Sequence, residues 1–448
     1  MTTTEPRPDL IETDDVERGV DPARWPDVAR RPDRPLRAAI ARRLFARAVD
    51  RLPLRVELVA EGVWWGGGGP GDPTMRLVRP EAVFDRLGDA GLIGLGEAYL
   101  AGELDAGDVD DDSDELVAVF EVFARHVHEL APRWMQPLRR LGVRRQRRDE
   151  VNTPAGSRRN VSRHYDLSNE LFAAFLDRTM TYSSALFGPA VDLERGATWD
   201  DLAVAQVAKI DRLLDQCAVD EGTRVLEIGT GWGELALRAA ARGATVHSVT
   251  LSEEQRELAS RRILDAGFAD RVEVELADYR DVAGSYDAVV SLEMVEAVGE
   301  EYWPTYYEVI GRVLAPGGRV GIQTISIAHD RLAATRHDYT WIHKYVFPGG
   351  LVPSVEAMIS ASDAAGLEIV DDLAFGRHYA ETLRLWRERF VVNARGVPDL
   401  GDDPTFRRMW TFYLAYCEAG FRSGYLDVHQ LTMTARRSVS RVSPVGTF

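Results

Sequence analysis

Residues after about 160 alternate short apolar runs with amphipathic stretches, whereas residues 20–135 mix shorter elements with loops. The apolar runs are rich in Val, Ile and Leu and are bounded by Gly, Asp or Pro, which is typical of buried strands. The predicted strands are Arg224–Ile228, Thr245–Thr250, Arg271–Ala277, Tyr286–Leu292 and Arg319–Ile325. Because helical stretches separate them, the pattern predicts an α/β fold with a doubly wound parallel sheet.

The region before this alternation predicts a separate, smaller unit of mixed α/β structure. Residues 1–22 are polar and acidic, as in a disordered tail, and residues 23–135 form the unit itself. Residues 136–160 are rich in arginine and contain Pro and Gly, which indicates a basic linker before the second domain at 161–448. The elements expected in the smaller unit are a basic helix, a strand at Arg55–Ala60 and helices around Pro80–Leu87 and Leu116–Leu130.

Composition narrows the class of protein. The chain has 448 residues, a hydrophobic fraction of 45% and a net charge of −17, which argues against a dedicated nucleic-acid binder. Its two cysteines, Cys217 and Cys417, make neither a disulfide framework nor a zinc site and suit a reducing cytoplasm. No apolar run approaches the ~18 residues of a membrane span, and the acidic N-terminus does not resemble a secretory signal. We therefore expect a cytoplasmic protein without a metal site.

Two basic segments stand out against the negative net charge. Residues 30–55 interleave arginines with apolar residues at roughly helical spacing, and a second basic run covers Arg139–Arg148. Such segments favour an anionic membrane surface as a partner, at the inner face of the cell membrane. The arginines expected to meet lipid are Arg37, Arg42, Arg43 and Arg47. The alternative is a solvated helix face followed by a charged linker.

The most informative motif is VLEIGTGWG at residues 225–233, a strand, a glycine turn and the start of a helix at Glu234–Arg242. The glycines let the backbone approach a ligand, and the helix start presents free N–H groups. The third glycine comes one residue earlier than in the nicotinamide fingerprint. This variant suits S-adenosylmethionine (SAM), because the Glu227 carboxylate can meet the methionyl amine. A turn for another nucleotide and a plain strand–helix turn remain alternatives.

Ligands of such sheets bind outside the carboxyl ends of the strands, so the residues after each strand matter most. Those after the second and third strands are Thr250, Leu251, Ser252, Gln255, Asp278 and Tyr279. Asp278 and Tyr279 offer a carboxylate and a ring for the amine and face of an adenine. The fourth strand leads to Glu293 and Glu296, whose spacing places both carboxylates on one helix face, with a solvated helix start as the alternative. The fifth strand ends at Gln323-Thr324-Ile325.

The segment before the sheet, residues 161–187, is dense in aromatic residues. Such a stripe is more often core than site. Here the run Tyr182-Ser183-Ser184 is expected to cover the cofactor pocket.

These segments together resemble one protein family. The matching stretches are HYDLSNELF (164–172), MTYSSALF (180–187), VLEIGTGWG (225–233), VTLSEEQ (249–255), DYRD (278–281), EMVEAVG (293–299), WIHKYVFPGGLVPS (341–354) and HYAETLRLW (378–386). They resemble the cyclopropane-fatty-acyl-phospholipid synthases, which are SAM-dependent methyltransferases acting on the cis double bond of phospholipid acyl chains. The resemblance covers roughly residues 25–435 and implies a Rossmann-like class I SAM methyltransferase domain preceded by a smaller mixed α/β lipid-binding domain.

Carried over by position, the resemblance implies a SAM site. Its residues are Tyr182, Ser183, Gly229, Gly231, Thr250, Gln255, Asp278 and Tyr279, joined by Glu227, Trp232, Gly233, Leu251 and Ser252 from the same motifs.

The resemblance also implies bicarbonate as the catalytic base. The positions that match its binding residues in the family are Ser184, Glu296, Gln323, Ile325 and Tyr379. Ser184 and Gln323 replace a Cys and a His of the family, although both can still hydrogen-bond an anion. Glu293 stands where many cyclopropane-forming members have Gly and adds a candidate protein base. We expect Glu296 and Tyr379 to hold the base, with Glu293 modulating it.

The N-terminal region, with RWPDVA (24–29) and GLIGLGEAYLAGEL (91–104), is most similar to the actinobacterial branch of the family. That branch implies a 10-methylene acyl product from an oleoyl-type phospholipid, which a flavin-dependent reductase partner converts to the 10-methyl chain. It also implies a homo-oligomer or a complex with the reductase. A cyclopropane product and a lipid-binding scaffold without chemistry are the alternatives. Residues that could line an acyl tunnel are Phe172, Phe175, Met180, Leu186, Phe187, Trp341 and Phe347.

Overall fold

The computed structural model of the protein describes residues 19–106, 113–127 and 168–436. These residues divide into two compact units. The first contains the described residues up to 127 together with Arg387–Ala419, and the second contains 168–386 together with the residues from Gly420 onward. The predicted linker, the second basic run and most of the predicted tail lie outside the described residues.

Strands and helices are numbered in chain order. The strands are β1 (Arg55–Leu58), β2 (Val63–Trp65), β3 (Thr74–Leu77), β4 (Leu104–Asp105), β5 (Arg224–Ile228), β6 (Thr245–Thr250), β7 (Val272–Leu276), β8 (Tyr286–Leu292), β9 (Leu314–Ile327), β10 (Leu367–Ala374) and β11 (Leu426–Ala435). The helices are α1 (Pro26–Ala29), α2 (Pro35–Val49), α3 (Pro80–Ala90), α4 (Leu92–Leu100), α5 (Asp114–Arg125), α6 (Asn169–Phe175), α7 (Trp199–Gln216), α8 (Glu234–Ala241), α9 (Glu253–Asp265), α10 (Val295–Val298), α11 (Trp303–Val313), α12 (His329–Thr335), α13 (Trp341–Tyr345), α14 (Val355–Ala364), α15 (Gly376–Asn393) and α16 (Pro404–Arg422).

The first unit is built on a small sheet in the order β2-β1-β3-β4, in which β1 and β3 run parallel. Its two central strands alternate buried and half-buried positions, as expected for a strand with one face on the core. The buried positions are Val56, Leu58, Met75 and Leu77. Helices α1, α2 and α3 each begin with a proline in the first turn, where the missing N–H costs no hydrogen bond.

Residues 387–419 belong to this first unit, whereas the sequence pattern predicts them in the second domain. Phe412 of α16 packs against Tyr99 and Phe120, with ring centroids 5.4 and 4.9 Å apart. The sequence pattern could not reveal this assignment, because an apolar helix face does not specify which distant segment will cover it.

The second unit contains a sheet of seven strands in the order β10-β11-β9-β8-β5-β6-β7. The strands from β7 to β9 are parallel, and β11 is inserted antiparallel between β9 and β10. This arrangement confirms the predicted Rossmann-like α/β fold. Strands β5, β6 and β8 have the predicted bounds, β7 is one residue shorter at each end, and β9 is longer. The antiparallel pair β10 and β11 was not predicted.

Helices cover both faces of this sheet. On one face Val225 packs in a cluster with Leu213 of α7 and Leu235 of α8. On the other face Leu226 packs with Ile310 of α11 and Met358 of α14. Because the strand order reverses at β5, a crevice opens at the carboxyl end of that strand. The glycine turn lies there.

Candidate active site

A cavity lies at the carboxyl ends of β5, β6 and β8 within the second unit. It encloses about 910 Å³ when the open space at its mouth is counted. The residues on its wall that the sequence predicted are Tyr182, Ser183, Glu227, Gly229, Gly231, Trp232, Thr250, Leu251, Gln255, Tyr279 and Glu293. The turn after β5 therefore forms part of a ligand-sized cavity.

The three glycines of the turn do different things. All three have positive φ: +96° at Gly229, +52° at Gly231 and +88° at Gly233. A Cβ at Gly229 would lie 2.6 Å from the Met294 Cγ atom, and a Cβ at Gly233 would lie 3.1 Å from Ala259. A Cβ at Gly231 would meet no protein atom within 4 Å. Gly231 is therefore the position where a ligand can approach the backbone, while the other two permit close packing.

Glu227 is a buried carboxyl group at the end of β5, on the cavity wall. Burial raises the pKa of Glu227 to about 8, and the hydrogen bond from the Ser248 hydroxyl, at 2.5 Å, opposes that rise. The Ser248 hydroxyl also shares a bond of 2.6 Å with Thr230. A ligand ammonium placed beside this carboxyl would favour its charged form. The geometry fits the methionyl amine expected from the sequence.

Of the residues after β6, some line the cavity and others hold them in position. The Thr250 hydroxyl donates to Gln255 Oε1 at 2.8 Å, and both residues line the cavity. The Ser252 hydroxyl accepts from the Gln255 backbone N–H at 3.2 Å and caps α9. Ser252 therefore positions the other two and does not itself line the cavity.

The turn after β7 places Tyr279, but not Asp278, on the cavity wall. The Asp278 carboxylate accepts two hydrogen bonds from the Arg280 guanidinium, at 2.8 and 2.6 Å. The Tyr279 ring packs edge-on against Tyr306, with centroids 5.4 Å apart. We expected Asp278 to meet the adenine amine, but the structure pairs it with Arg280 beside that wall.

Glu293 is the best-connected carboxylate of the cavity. Its Oε1 accepts from the Ser184 backbone N–H at 3.0 Å and from Gln323 Nε2 at 2.8 Å, and its Oε2 accepts from the Tyr379 hydroxyl at 2.6 Å. Its φ is +50°, an unusual conformation for a residue with a side chain. Burial raises the pKa of Glu293, while Lys209 and the three hydrogen-bond donors lower it.

Glu296 follows on α10 and is held differently. Its Oε1 accepts from the Ile325 backbone N–H at 2.5 Å and from the Thr324 hydroxyl at 3.0 Å. Its buried Oε2 has no hydrogen-bond partner among the described residues. Burial and the Glu293 charge raise the pKa of Glu296 to about 8. The two carboxyl groups are therefore coupled, because the charge of Glu293 raises the pKa of Glu296.

The predicted anion site takes a different form from the one expected. Ser184, Gln323 and Tyr379 do come together, and each of them donates a hydrogen bond to Glu293. Ile325 binds Glu296. A separate bicarbonate does not fit these donors, because the carboxylate of the chain already accepts a bond from each of them.

Comparison with known proteins identifies the family of the chain. The sequence profile of the family described as mycolic acid cyclopropane synthetase matches residues 153–431, more than half of the chain. Tuberculostearic acid methyltransferase UfaA1 of Mycobacterium tuberculosis is 51% identical over 424 residues, which cover 92% of this chain and 96% of that protein. The chain belongs to the mycolic acid cyclopropane synthetase family. It is a SAM-dependent methyltransferase.

A second curated relative and a solved structure are also similar to this chain. The cyclopropane-fatty-acyl-phospholipid synthase of Escherichia coli K12 is 33% identical over 382 residues, covering 83% of this chain and 90% of that enzyme. The crystal structure of mycolic acid cyclopropane synthase CmaA1 with SAH and CTAB matches with a TM-score of 0.55 and 29% identity. The match covers 62% of this chain and 97% of that structure. The matched part of this methyltransferase has the fold of that solved relative.

The residues present fit SAM. Open space at Gly231 admits a ligand, the buried Glu227 carboxyl suits its amine, and Tyr279 offers a ring to its adenine. Bound there, SAM supplies an electrophilic methyl group. The chain contributes apolar side chains to the same wall as Glu293, among them Ile210, Val249 and Leu292.

Most aromatic residues proposed for an acyl tunnel belong to the core. Phe172 and Phe175 are fully buried, and the Phe172 ring packs on Trp232 and Tyr182 with centroids 4.8 and 5.2 Å away. Of the seven proposed tunnel residues, Met180 lies on the cavity wall. The buried Phe172 ring therefore packs against Tyr182 and Trp232, which line the cavity.

Two buried polar residues of α7 were missed by the sequence analysis. Gln206 Nε2 donates to the carbonyl oxygens of Thr181 and Ser183, and Lys209 Nζ donates to the Ser184 carbonyl oxygen. A usable signal existed, because a lysine on the apolar face of a helix rarely lacks a specific partner.

Proposed function

We propose that this methyltransferase acts on the cis double bond of an unsaturated phospholipid acyl chain and gives a 10-methylene chain. The observation that carries the proposal is the Glu293 carboxylate, held by three donors on the wall of the cavity. The name of the tuberculostearic acid methyltransferase, 51% identical, supports a methylated acyl product. The 33% identity to a cyclopropane-fatty-acyl-phospholipid synthase supports a phospholipid substrate.

The reaction requires a base that acts on the acyl chain. The two π electrons of the alkene form the new bond to the methyl carbon, while the sulfonium carbon–sulfur pair returns to sulfur. The acyl chain is then a carbocation. A hydride shift moves the positive charge to the methyl-bearing carbon, and loss of a proton from the methyl group leaves an exocyclic methylene. The proton is transferred to Glu293.

Glu293 suits this task better than Glu296. It lies on the cavity wall and accepts three hydrogen bonds, which together with Lys209 lower its pKa. Glu296 does not line the cavity, and burial and the Glu293 charge raise its pKa to about 8. Backbone strain at a positive φ costs about 1 kcal/mol or more and persists where the surroundings enforce it. That Glu293 keeps this conformation supports a functional role.

A cyclopropane product is the second candidate. It results when the same carbocation loses a methyl proton without a hydride shift, so that the ring closes. The family description and the E. coli relative favour it. The placement of the base relative to the carbocation decides between the two outcomes.

A reductase partner follows from the electron count of the first candidate. The methylene chain needs two electrons and two protons to become the 10-methyl chain. Methyl transfer and proton loss supply neither. We therefore propose that a separate flavin-dependent reductase completes the product.

An anionic membrane surface is the proposed docking partner. On α2, Leu36, Ile40 and Leu44 lie four residues apart and are exposed to 82%, 59% and 50%. The exposed arginines beside this stripe are Arg37, Arg43 and Arg47. Together they form an apolar face with a basic border, which suits the interface of an anionic bilayer. Among the described helices, none combines the length and the apolar character that a membrane span requires.

Arg42 does not belong to this face, although the sequence analysis included it. Its guanidinium donates two hydrogen bonds to the Glu61 carboxylate, at 2.8 and 2.6 Å, and lies 5.2 Å from the centre of the Trp65 ring. This arginine therefore stabilises the first unit.

Product analysis tests the proposed reaction. The purified enzyme is given SAM and dioleoyl phospholipid vesicles without a reductant, and the acyl chains are examined by proton NMR and fragmentation mass spectrometry. The proposal predicts terminal alkene protons and a mass gain of one CH₂. Cyclopropane ring protons in their place would establish the second candidate, and a saturated methyl branch would overturn the electron count.

A further inference from the structure

Lys209 is a buried cation that the reaction described so far does not use. It lies on α7 with no exposed surface, and its Nζ donates to the Ser183 hydroxyl and to the Ser184 carbonyl oxygen, the latter at 3.0 Å. Its neighbours on the buried face of α7 include Ile210 and Leu213. An ammonium group is costly in such surroundings unless charged or polar partners compensate.

Ser184 connects this cation to the Glu293 carboxylate. The backbone N–H of Ser184 donates to Glu293 Oε1 at 3.0 Å, while its carbonyl oxygen accepts from Lys209 Nζ. Gln323 closes the link, because its Nε2 donates to the Ser184 oxygen at 3.3 Å and to Glu293 Oε1 at 2.8 Å. The Ser184 backbone therefore binds both groups, the Lys209 ammonium at its carbonyl oxygen and the Glu293 carboxylate at its N–H.

We propose that Lys209 is a positioning residue for methyl transfer, whose ammonium fixes the 183–184 backbone and keeps the Glu293 carboxylate charged inside the cavity. The proposal rests on the proposed role of Glu293 as the base. A positive charge a few ångströms away stabilises a carboxylate against protonation, and the effect is large where water is excluded. Burial lowers the pKa of Lys209 to about 7, and the charges of Glu293 and Asp177 oppose that fall.

The other ionisable groups that act on Lys209 or Glu293 are Asp177, whose charge acts on Lys209, and Tyr379 on α15, which donates to Glu293. Glu227 shares the cavity wall with Glu293, and the Glu293 charge acts on Glu296. Arg212 lies one turn after Lys209 on α7. The Arg212 guanidinium is engaged by Gln430 and Asp371, at 2.9 and 2.6 Å. Within the described residues, Lys209 is thus the cation whose charge lowers the pKa of Glu293.

The pH dependence of kcat/KM tests this role. Lys209→Gln keeps a hydrogen-bond donor and removes the charge. Without the cation the Glu293 carboxylate protonates more readily, so the acid limb of the profile should move to higher pH by about one unit or more. Activity should therefore fall most at low pH and recover as the pH rises.

Gln206→Leu is the matched control. Gln206 lies one turn earlier on α7 and holds the same backbone through hydrogen bonds to Thr181 and Ser183, but it carries no charge. This variant should lower the rate without moving the acid limb. An unchanged acid limb in Lys209→Gln, with a uniform loss of rate, would overturn the proposal and leave Lys209 a structural role.

A second measurement does not depend on turnover. Urea unfolding of Lys209→Gln, Glu293→Gln and the double variant forms a double-mutant cycle. Charge coupling predicts that the double variant loses less stability than the two single losses added together, and additive losses would contradict it. If Lys209→Gln alone does not fold, a folded double variant supports the coupling and an unfolded one overturns it. The cycle measures only how the Glu293 charge affects stability. The outcome of the cycle is therefore independent of whether Glu293 acts as the base.

Discussion

The Tyr379 hydroxyl donates a hydrogen bond of 2.6 Å to the Glu293 carboxylate and so links α15 to the carboxyl end of β8. The Tyr379 ring packs against the Phe421 ring, with ring centroids 4.4 Å apart. This contact gives Glu293 its third donor, after the Ser184 N–H and the Gln323 amide. The Glu293 carboxylate is therefore fixed by segments that lie far apart in the sequence.

Tyr379→Phe should lower turnover by about 10-fold or more, since a hydrogen bond to a charged group contributes roughly 1.5–3 kcal/mol. Losing this donor also raises the pKa of Glu293, so the acid limb of the pH–rate profile should shift upward. Steady-state kinetics from pH 6 to 9 would measure both effects. Phe421→Leu is the control for packing, and it should leave the acid limb in place. A Tyr379→Phe enzyme with the wild-type rate would show that the contact does not matter.

Gly231→Val should abolish SAM binding while the protein remains folded. The new side chain enters open space at the cavity, where no protein atom lies within 4 Å of the Cβ. Gly366→Val is a matched control, because Gly366 also has a positive φ, +75°, and open space around its Cβ, but lies between α14 and β10. Titration calorimetry should detect no SAM binding for the first variant and normal binding for the second. Equal affinities would place the cofactor elsewhere.

The pKa of Glu227 predicts a pH-dependent affinity for SAM. Burial raises this pKa to about 8, so binding of an ammonium beside the carboxylate must release a proton below that pH. Affinity should therefore weaken as the pH falls from 8 to 6, and calorimetry in buffers of different ionisation enthalpy should detect the released proton. Glu227→Gln should bind SAM weakly and without this pH dependence. A wild-type affinity that is flat over this range would contradict the assignment.

The same group affects the stability of the free protein. A carboxyl whose pKa is raised on folding binds more protons in the folded than in the unfolded state, so stability falls as pH rises. The window runs from the ordinary carboxyl range near 4.5 to about 8. In the same urea experiments, Glu227→Gln should reduce this slope.

Membrane association should have an electrostatic and an apolar part. Replacing Arg37, Arg43 and Arg47 with Glu should remove the salt-sensitive part of binding to anionic vesicles, since each such charge contributes about 1 kcal/mol at low salt. Replacing Ile40 and Leu44 with Ser should weaken the part that survives high salt. Arg195→Glu is the control for net charge, because Arg195 is exposed in the second unit. Co-sedimentation that is equal on neutral and anionic vesicles at low salt would refute the electrostatic part.

Much of the fold could be predicted from the sequence, for physical reasons. Strands β5 and β8 are central and mostly buried, and most of their residues are apolar. Strand β6 has only two apolar residues, Val246 and Val249, but its β-branched residues still indicate a strand. In β10, exposed residues such as Glu368 and Asp372 alternate with less exposed ones. Strand β11 buries the polar side chains of Gln430 and Thr432. Neither strand therefore contains a continuous apolar run that the sequence could reveal. The glycine turn was recognisable because the glycine spacing and the carboxylate that suits the ligand lie within one short stretch, residues 225–233.

The arrangement of the base was harder to predict. The sequence named Ser184, Gln323, Tyr379 and both glutamates, but it assigned the donors to a bound bicarbonate and gave Glu293 only a modulating role. The choice between the carboxylates depends on the φ of +50° at Glu293, which residue type does not encode. The same limit applies to Arg42, whose pairing with Glu61 requires the fold of the first unit.

Replacing Glu293 tests the central claim, that the chain supplies its own base, most directly. Glu293→Gln keeps the shape of the side chain but cannot accept the proton, and Glu293→Gly removes the side chain and relieves the positive φ. In buffer free of bicarbonate, the wild type should turn over fully, and both variants should lose ~10²-fold or more. Added bicarbonate should restore activity to Glu293→Gly, where the three donors are released, but not to Glu293→Gln. A wild-type enzyme that needs bicarbonate, or a Glu293→Gln enzyme with near-normal rates without it, would contradict the account.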